Sequence, residues 1–322
     1  MRRWVSVGVL FAVIGCVFSI SVLPGSPPGF GTGLFAQRGL DARVMAMGGA
    51  AVAAPAGPMS GYYNPAGLAD LEVLQVGGLY SEPFGREMGL TYQYVSVLGP
   101  IGSQTGSRVA VGTAISWMNL RVGGIQLWGD EGPTGFAEGT GSVYLASFGF
   151  RFPGFESVRL GGSLRYYAAR LLEGRGTGFG FDLSALWTVQ LGGTCVDVGL
   201  NVMDLANTTV RWTSLSGETE NVIPWTAKAG IAATPIEGLR ILGDLDWVGG
   251  QTLRDQELHI GVEYRLVEFL AIRGGWSGDL NQGGTFTVGL GVEVAGRLSI
   301  EYAYLPPNVF SASHLISATL SF

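Results

Sequence analysis

Residues 297–305 read RLSIEYAYL, and their side chains alternate in character along the chain. Leu298, Ile300, Tyr302 and Tyr304 fall on one face, and Ser299, Glu301 and Ala303 fall on the other. A period of two is the signature of a β-strand whose two faces meet different surroundings. The stretch therefore predicts a strand with an apolar medium on one side and small or charged groups on the other.

The same alternation recurs along the body of the chain. Fourteen segments show it, starting near Leu74, Met88, Arg108, Thr140, Val158, Gly178, Cys195, Val222, Leu239, Glu257, Phe269, Thr285, Leu298 and His314. Most are about nine to twelve residues long, which is the length of a strand that crosses a membrane at a tilt. The pattern predicts an all-β fold, a transmembrane antiparallel β-barrel of about 14 strands.

The connections between these segments differ in length. Residues 191–194, 267–268 and 295–297 form short turns, whereas residues 119–139 and 204–221 form long loops. Short turns at one end and long loops at the other are typical of outer-membrane barrels. We therefore expect the cell outer membrane as the location, its lipid as a partner, and both termini on the periplasmic side.

Composition supports a protein that does not face only water. Charged residues make up 14% of the chain, whereas soluble domains carry about 25%. The net charge of −6 argues against a nucleic-acid partner, which would favour a basic face. A soluble β-sandwich enzyme would need a water-compatible outer face, and these strands do not offer one.

We find no catalytic or cofactor-binding motif in the chain. HExxH, GxSxG, P-loop and CxxC patterns are all missing from the sequence, and each would carry a specific chemistry. The two histidines, His259 and His314, are better explained by structural pairing than by catalysis. We therefore expect no enzyme activity, no cofactor and no bound metal.

The N-terminus has the layout of an export signal. Arg2 and Arg3 precede an apolar run over residues 4–22, and a stretch rich in proline and glycine follows. This order predicts a secretory signal peptide over residues 1–36, with an uncleaved membrane anchor as the alternative. The remaining chain divides into residues 37–72, an irregular segment, and residues 73–322, the barrel.

The irregular segment is unusual because no charged side chain lies between Arg43 and Asp70. It carries three prolines and several glycines, which disfavour both a spanning helix and a regular strand. A barrel of about 14 strands is wider than the eight-stranded type that side chains can fill. Its bore could hold such a segment, provided that polar groups of the wall satisfy the backbone of the segment.

Several stretches resemble the PorV/PorQ-type proteins, relatives of the FadL transporters. In the N-terminal segment these are residues 42–45, Met47-Gly48-Gly49 and Asn64-Pro65-Ala66-Gly67-Leu68. Residues 198–205, 259–264, 272–276, 301–304 and 314–317 continue the likeness. Tyr63 stands where the family usually has Trp, and residues 54–57 replace common acidic positions. The resemblance implies that residues 37–72 fold into the barrel as a hatch.

The inward faces of the strands carry both signs of charge, as a polar barrel interior would. We expect eight of these side chains to line the lumen: Arg159, Arg165, Asp182, Asp244, Asp246, Glu263, Arg273 and Glu293. Neighbouring strands place Glu263 beside Arg273.

The family resemblance implies two alternative functions. FadL-like relatives pass hydrophobic small molecules, whereas PorV-like relatives act in type IX secretion and bind exported proteins at the cell surface. Trp128 and Phe136, apolar side chains of the first long loop, are the expected extracellular contacts for either partner. The chain ends on Phe322, which we expect to mark the terminus for the barrel-assembly machinery.

Overall fold

The computed structural model describes residues 40–83, 89–102, 109–129, 132–214, 217–250, 256–279, 283–307 and 311–322. The predicted signal peptide lies outside these residues. The described chain begins with short helical turns and continues as β-strands to its end. The helical elements are α1 (Ala42–Ala46), α2 (Ser60–Tyr63) and a 3-10 helix (Pro65–Asp70).

The strands follow one another in chain order. They are β1 (Gln75–Ser81), β2 (Leu90–Ile101), β3 (Ala110–Gly129), β4 (Gly132–Arg151), β5 (Val158–Leu171), β6 (Gly174–Leu191), β7 (Thr194–Met203), β8 (Thr208–Ser214), β9 (Gly217–Ile223), β10 (Thr226–Ile236), β11 (Leu239–Val248), β12 (Glu257–Val267), β13 (Leu270–Asp279), β14 (Gly283–Val294), β15 (Leu298–Leu305) and β16 (Ser313–Ser321).

Fourteen of these strands close into one antiparallel ring. Strand β1 pairs with both β2 and β16, which joins the two ends of the sheet. Strand β7 pairs with β10, so β8 and β9 stand outside the ring. The predicted fold class, an antiparallel barrel of about 14 strands, is confirmed.

The outer surface of the ring is apolar, as the alternation predicts. On β14, Phe286 is 73% exposed and Leu290 is 48% exposed, whereas the alternating Thr287 is buried. No helix in the described part of the chain is long and apolar enough to span a membrane. Lipid is the medium that an apolar belt around a closed barrel matches, and the structure is that of an outer-membrane barrel.

Replacing Leu290 with Arg should test this lipid-facing belt. Leu290 lies between Ile272 and Tyr302 of the neighbouring strands, and a charge near the bilayer midplane costs about 2–4 kcal/mol. We expect that loss in the free energy of unfolding, measured by urea titration after refolding into detergent or lipid. Glu173→Arg, in the exposed β5–β6 turn, is the control. Equal, negligible losses for both variants would contradict the assignment.

The two ends of the barrel differ. Residues 192–193, 237–238, 268–269 and 295–297 are short turns between strands at one end, which we call the turn end. The opposite end, the hairpin end, carries the projecting β3–β4 hairpin and the additional β8–β9 hairpin. The connections at the hairpin end differ in length, because β5 and β6 are joined by Leu172 and Glu173 alone.

The predicted long loop over residues 119–139 is wrong. Strand β3 continues to Gly129 and β4 begins at Gly132, so most of the segment is paired hairpin. Register shifts between Val122 and Ile125 and between Leu127 and Trp128 interrupt the ladder. Bulges break the period of two, because each extra residue moves the following side chains to the other face.

The predicted loop over residues 204–221 is also partly wrong, because it contains β8 and the start of β9. This hairpin lies against the glycine-rich start of β6. A methyl group on Gly176 would lie 2.6 Å from the Trp212 ring, and one on Gly178 would lie 2.7 Å from the Thr209 carbonyl oxygen. Strand β8 pairs with β6 at residues 175–177, and the glycines of GRGTGFG leave room for the Trp212 ring and for the β8 backbone.

Residues 40–71, the N-terminal segment, lie inside the ring. Helix α1 contacts β13 to β16, whereas the 3-10 helix contacts β2 to β6 on the opposite part of the wall. Val44, Met47 and Leu68 are fully buried. Only a position within the lumen allows one short segment to touch both parts of the wall.

Candidate functional site

Hydrogen bonds from the wall hold the middle of the N-terminal segment. Asp244 Oδ2 accepts from the backbone N–H of Ala51 at 2.6 Å and from that of Val52 at 2.8 Å. Asp244 is 2% exposed. A carboxylate that accepts two backbone N–H groups forms strong, charge-assisted bonds. Asp244 thus satisfies backbone groups that the irregular segment leaves without a helix or strand partner.

The Met47-Gly48-Gly49 turn rests on β12, β13 and β14. The Gly48 N–H donates to Thr287 Oγ1 at 3.1 Å, and the Gly48 carbonyl lies 2.7 Å from His259 Nδ1. Gly48 has φ +69°, a conformation that glycine adopts without strain. His259 therefore has a structural partner in the N-terminal segment.

The Asn64-Pro65-Ala66-Gly67-Leu68 motif forms the start of the 3-10 helix. Asn64 Oδ1 accepts from the Ala66 N–H at 3.1 Å, which caps that helix. The Asn64 amide also donates to the carbonyl of Val52 at 2.8 Å and to that of Ala185, on β6, at 3.2 Å. Leu68 packs with Leu98 of β2. One buried Asn therefore links two parts of the segment to each other and to the wall.

Glycines on the inward face of the strands allow the backbone of the segment to reach the wall. A methyl group on Gly149 would lie 2.5 Å from the Pro65 carbonyl oxygen, and one on Gly261 would lie 2.6 Å from Met47 Cβ. Further inward glycines that a methyl group would drive into the segment are Gly112, Gly161, Gly199, Gly275 and Gly289. Such contacts account for part of the 53 glycines, because glycine permits close backbone approach.

An apolar cluster occupies part of the lumen toward the hairpin end, beside buried polar pairs such as Lys228 with Asp246 and Tyr167 with Asp204. The buried side chains that meet there form the lumenal apolar cluster. They are Ala42, Val44, Ala46, Ala51, Met59, Tyr62 and Tyr63 of the N-terminal segment, Leu79, Tyr92, Tyr94, Met118, Val143, Leu145, Tyr167, Met203, Ala303 and Leu315 of the wall, and Val210 and Ile223 of the β8–β9 hairpin. Leu120 and Leu305 pack against the cluster while still partly exposed. Sequence reasoning missed this cluster, because inward tyrosines and leucines are not separated from outward ones by residue type.

Two of the predicted lumen charges form a fully buried pair. Arg165 Nε lies 2.6 Å from Asp182 Oδ2, and both side chains are 0% exposed. The Arg165 guanidinium also lies over the Tyr62 ring, 5.1 Å from its centroid. A buried ion pair of this kind adds little to the free energy of folding, but it fixes the positions of the side chains around it. It fixes the position of Tyr62, and thus of α2, against β5 and β6.

Three of the other predicted charges, Arg159, Glu263 and Arg273, lie toward the turn end, where ion pairs form two chains. The first chain runs from Arg151 through Asp70, Arg159 and Asp197 to Arg240, with successive N–O distances of 2.8, 3.4, 3.5 and 3.2 Å. The second runs from Arg43 through Glu263 and Arg273 to Glu301; its first two distances are 2.9 and 2.6 Å. Asp70 and Arg43 belong to the N-terminal segment, so each chain joins that segment to the wall.

Three predicted lumen charges stand apart from these chains. Asp244 binds backbone, as described above, and Asp246 pairs with Lys228 of β10. Glu293 is exposed near the turn end. The structure thus brings Arg159, Glu263 and Arg273 into networks, but it leaves Glu293 at the margin.

A cavity of about 430 Å³ opens between the N-terminal segment and the wall at the turn end. Arg43, Arg240 and Glu263 line it, as does Asp41. Asp41 caps α1 by accepting from the Val44 N–H at 3.2 Å. Burial raises the pKa of Asp41 to about 6. The lumen therefore holds an apolar cluster toward the hairpin end and a charged cavity at the turn end.

The remaining predicted site residues lie away from the lumen. Phe136 is 74% exposed on β4 of the projecting hairpin, not on a loop as predicted. Trp128 lies on β3 opposite Pro133, and its side chain falls outside the described residues. Phe322 is 65% exposed, and its N–H donates to the Leu74 carbonyl at 2.9 Å.

The described residues contain no cluster of His, Cys, Asp or Glu with the geometry of a metal site. Cys195 is a free thiol. The structure builds a lumen that contains the N-terminal segment, an apolar cluster and a charged cavity.

No protein-family model and no curated protein matches the chain. Among solved structures, the Ralstonia pickettii toluene transporter TbuX is similar, with a TM-score of 0.61 and 14% identity, over 90% of this chain and 100% of that one. The Pseudomonas putida toluene transporter TodX has a TM-score of 0.59 and 13% identity, over 88% and 99%.

A Pseudomonas aeruginosa FadL homologue is similar as well, with a TM-score of 0.57 and 12% identity, over 88% of this chain and 98% of that one. Identities this low establish the architecture and leave the cargo open. The chain therefore has the fold of the FadL-type outer-membrane channels.

Proposed function

We propose that this protein passes hydrophobic small molecules across the outer membrane and is not an enzyme. The observation that carries this proposal is the lumenal apolar cluster at the hairpin end. An outer-membrane pore for polar solutes has a polar interior, whereas apolar walls favour an apolar molecule that leaves water. The likeness in fold to toluene transporters supports the same class of cargo.

The N-terminal segment supports a gated route rather than an open one. It is held by backbone hydrogen bonds to Asp244 and by ion pairs at Arg43 and Asp70. We propose that residues 37–72 act as the hatch that closes the lumen to ions and polar solutes. The hairpin end would then face the cell exterior and the turn end the periplasm.

Uptake of a radiolabelled monoaromatic hydrocarbon by cells that lack their own hydrocarbon channel tests this function. The full chain should speed uptake over cells with an empty vector. Replacing Leu120 and Leu305 with Gln makes the exposed edge of the lumenal apolar cluster polar. Each lost apolar contact weakens partitioning by about 1 kcal/mol, so the double variant should lower uptake by roughly thirtyfold.

The matched control is Leu191→Gln, at the turn end of β6, where the side chain is 58% exposed. This variant changes the same chemical group outside the lumen and should keep normal uptake. Surface amounts of all variants are compared by heat-modifiability on gels. Wild-type uptake no faster than that of the empty vector would refute the proposed function.

The PorV-like alternative rests on the sequence resemblance, and one feature favours testing it. Phe136 exposes an apolar ring on a hairpin that projects from the barrel, and such a group is typical of a contact surface. If Phe136→Ser releases exported proteins from the cell surface and leaves hydrocarbon uptake unchanged, the secretion role is favoured over transport.

A further inference from the structure

Each of the two ion-pair chains at the turn end has an arginine at the end that lines the cavity. The first chain ends on Arg240 of β11, and the second begins on Arg43 of the N-terminal segment. Both arginines line the cavity of about 430 Å³. Elsewhere along both chains, each positive charge is followed by a negative one, but this alternation breaks between these two residues.

Each of the two guanidinium groups is only partly satisfied. Arg43 uses Nε and Nη2 on Glu263, at 2.9 and 3.0 Å, and Arg240 uses Nη2 on Asp197 at 3.2 Å. Arg43 Nη1 and Arg240 Nε are buried and have no hydrogen-bond partner among the described residues. A buried N–H of a charged group that lacks an acceptor is unfavourable.

The two positive charges also repel each other, because Arg43 acts electrostatically on Arg240. Glu263, which lines the cavity with both arginines, is already used, since it accepts from Arg43 and from Arg273. The side chain of Arg43 is 11% exposed, so water screens this repulsion incompletely. The two arginines therefore leave two donor atoms without acceptors, in a cavity that Asp41 and Glu301 also line.

We propose that a small oxyanion, such as a phosphate or carboxylate group, binds in this cavity between Arg43 and Arg240. Planar guanidinium groups match the oxygens of carboxylate and phosphate, and one oxyanion can accept from both arginines. Because Arg43 belongs to the N-terminal segment and Arg240 to the wall, the bound anion ties the segment to the barrel. This site is independent of the hydrophobic cargo.

Titration of the purified full chain in detergent tests the site. Inorganic phosphate is added at constant ionic strength, with chloride as the balancing salt, and binding is followed by calorimetry and by the thermal midpoint. Parallel titrations with acetate and with a short-chain, water-soluble phosphatidate distinguish a free phosphate, a carboxylate and a lipid headgroup. We expect saturable binding of at least one of these probes and a rise in thermal midpoint with it.

Arg240→Gln should weaken the binding about tenfold or more, since it removes one charged donor. Arg121→Gln is the matched control, because it removes an arginine charge from the exposed pair with Glu138 on the β3–β4 hairpin, far from the cavity. If Arg240→Gln does not fold, Arg240→Lys keeps the charge without the planar fork and should still bind more weakly. No saturable binding to the wild type with any probe, or unchanged binding to the folded Arg240 variant, would overturn the proposal.

Discussion

Deletion of residues 44–69 is expected to leave a folded barrel that conducts ions freely. The ring of strands pairs without this segment, and a barrel of this width leaves an aqueous channel when its bore is not filled. Polar wall groups that now bind the segment, such as Asp244 and Asn201, would be hydrated instead. We expect ion conductance in planar bilayers to rise about tenfold or more over the intact chain.

Folding of the deleted protein is checked by its strand content in circular dichroism and by heat-modifiability. These measurements separate an open barrel from a collapsed one. A folded deletion variant with the conductance of the intact chain would show that the N-terminal segment does not close the lumen.

A single methyl group on Gly275 should displace the same segment. An added Cβ there would overlap the backbone of Met47 and Gly48, and backbone atoms cannot rotate away as a flexible side chain can. We expect Gly275→Ala to raise conductance toward that of the deletion and to lower the free energy of unfolding by about 1–3 kcal/mol, the range for overpacking.

Gly274→Ala is the control, because the two glycines are adjacent on β13 and point to opposite faces. A Cβ on Gly274 would have no neighbour closer than 3.9 Å, the Thr287 carbonyl oxygen. Conductance of this variant should match the wild type. If Gly275→Ala and Gly274→Ala have the same ion conductance, the Met47–Gly48 turn does not pack closely against the wall.

The barrel could be predicted from sequence because its outer face meets one medium throughout. Leu298, Ile300 and Tyr302 keep the period of two that lipid requires, and the same holds on the other ring strands. Thus fourteen ring strands and most of their starting points follow from alternation alone. The extensions of β3 and β4 beyond the membrane could not be predicted in this way. Both of their faces meet water, so apolar and polar residues need not alternate there.

The interior was less accessible to sequence reasoning. Inward charges such as Arg165 and Asp182 could be selected because charge is improbable on the lipid face. Their partners could not, because contacts such as Arg165 with Tyr62 or Arg43 with Glu263 join residues far apart in the chain. The inward glycines recur where the N-terminal segment contacts the wall, and they could have indicated that face of the strands. Glycine alone does not identify the group that packs against it.

The division of the lumen also depends on three-dimensional placement. Tyr94 and Tyr167 are inward and buried, whereas Tyr144 and Tyr166 are outward and more exposed. Residue type does not distinguish these pairs, and only the register of β2, β4 and β5 does. The lumenal apolar cluster, on which the proposed function rests, therefore becomes visible only in the folded barrel.

Hydrocarbon uptake and ion leakage should be measured together on the same proteoliposomes. The claim under test is that a lumen with an apolar cluster, closed by the N-terminal segment, admits hydrophobic molecules and excludes ions. We predict that the intact chain speeds entry of a monoaromatic hydrocarbon while its ion leakage stays at the level of protein-free liposomes. Faster ion leakage without faster hydrocarbon entry would contradict the claim, because it would describe an open, polar pore.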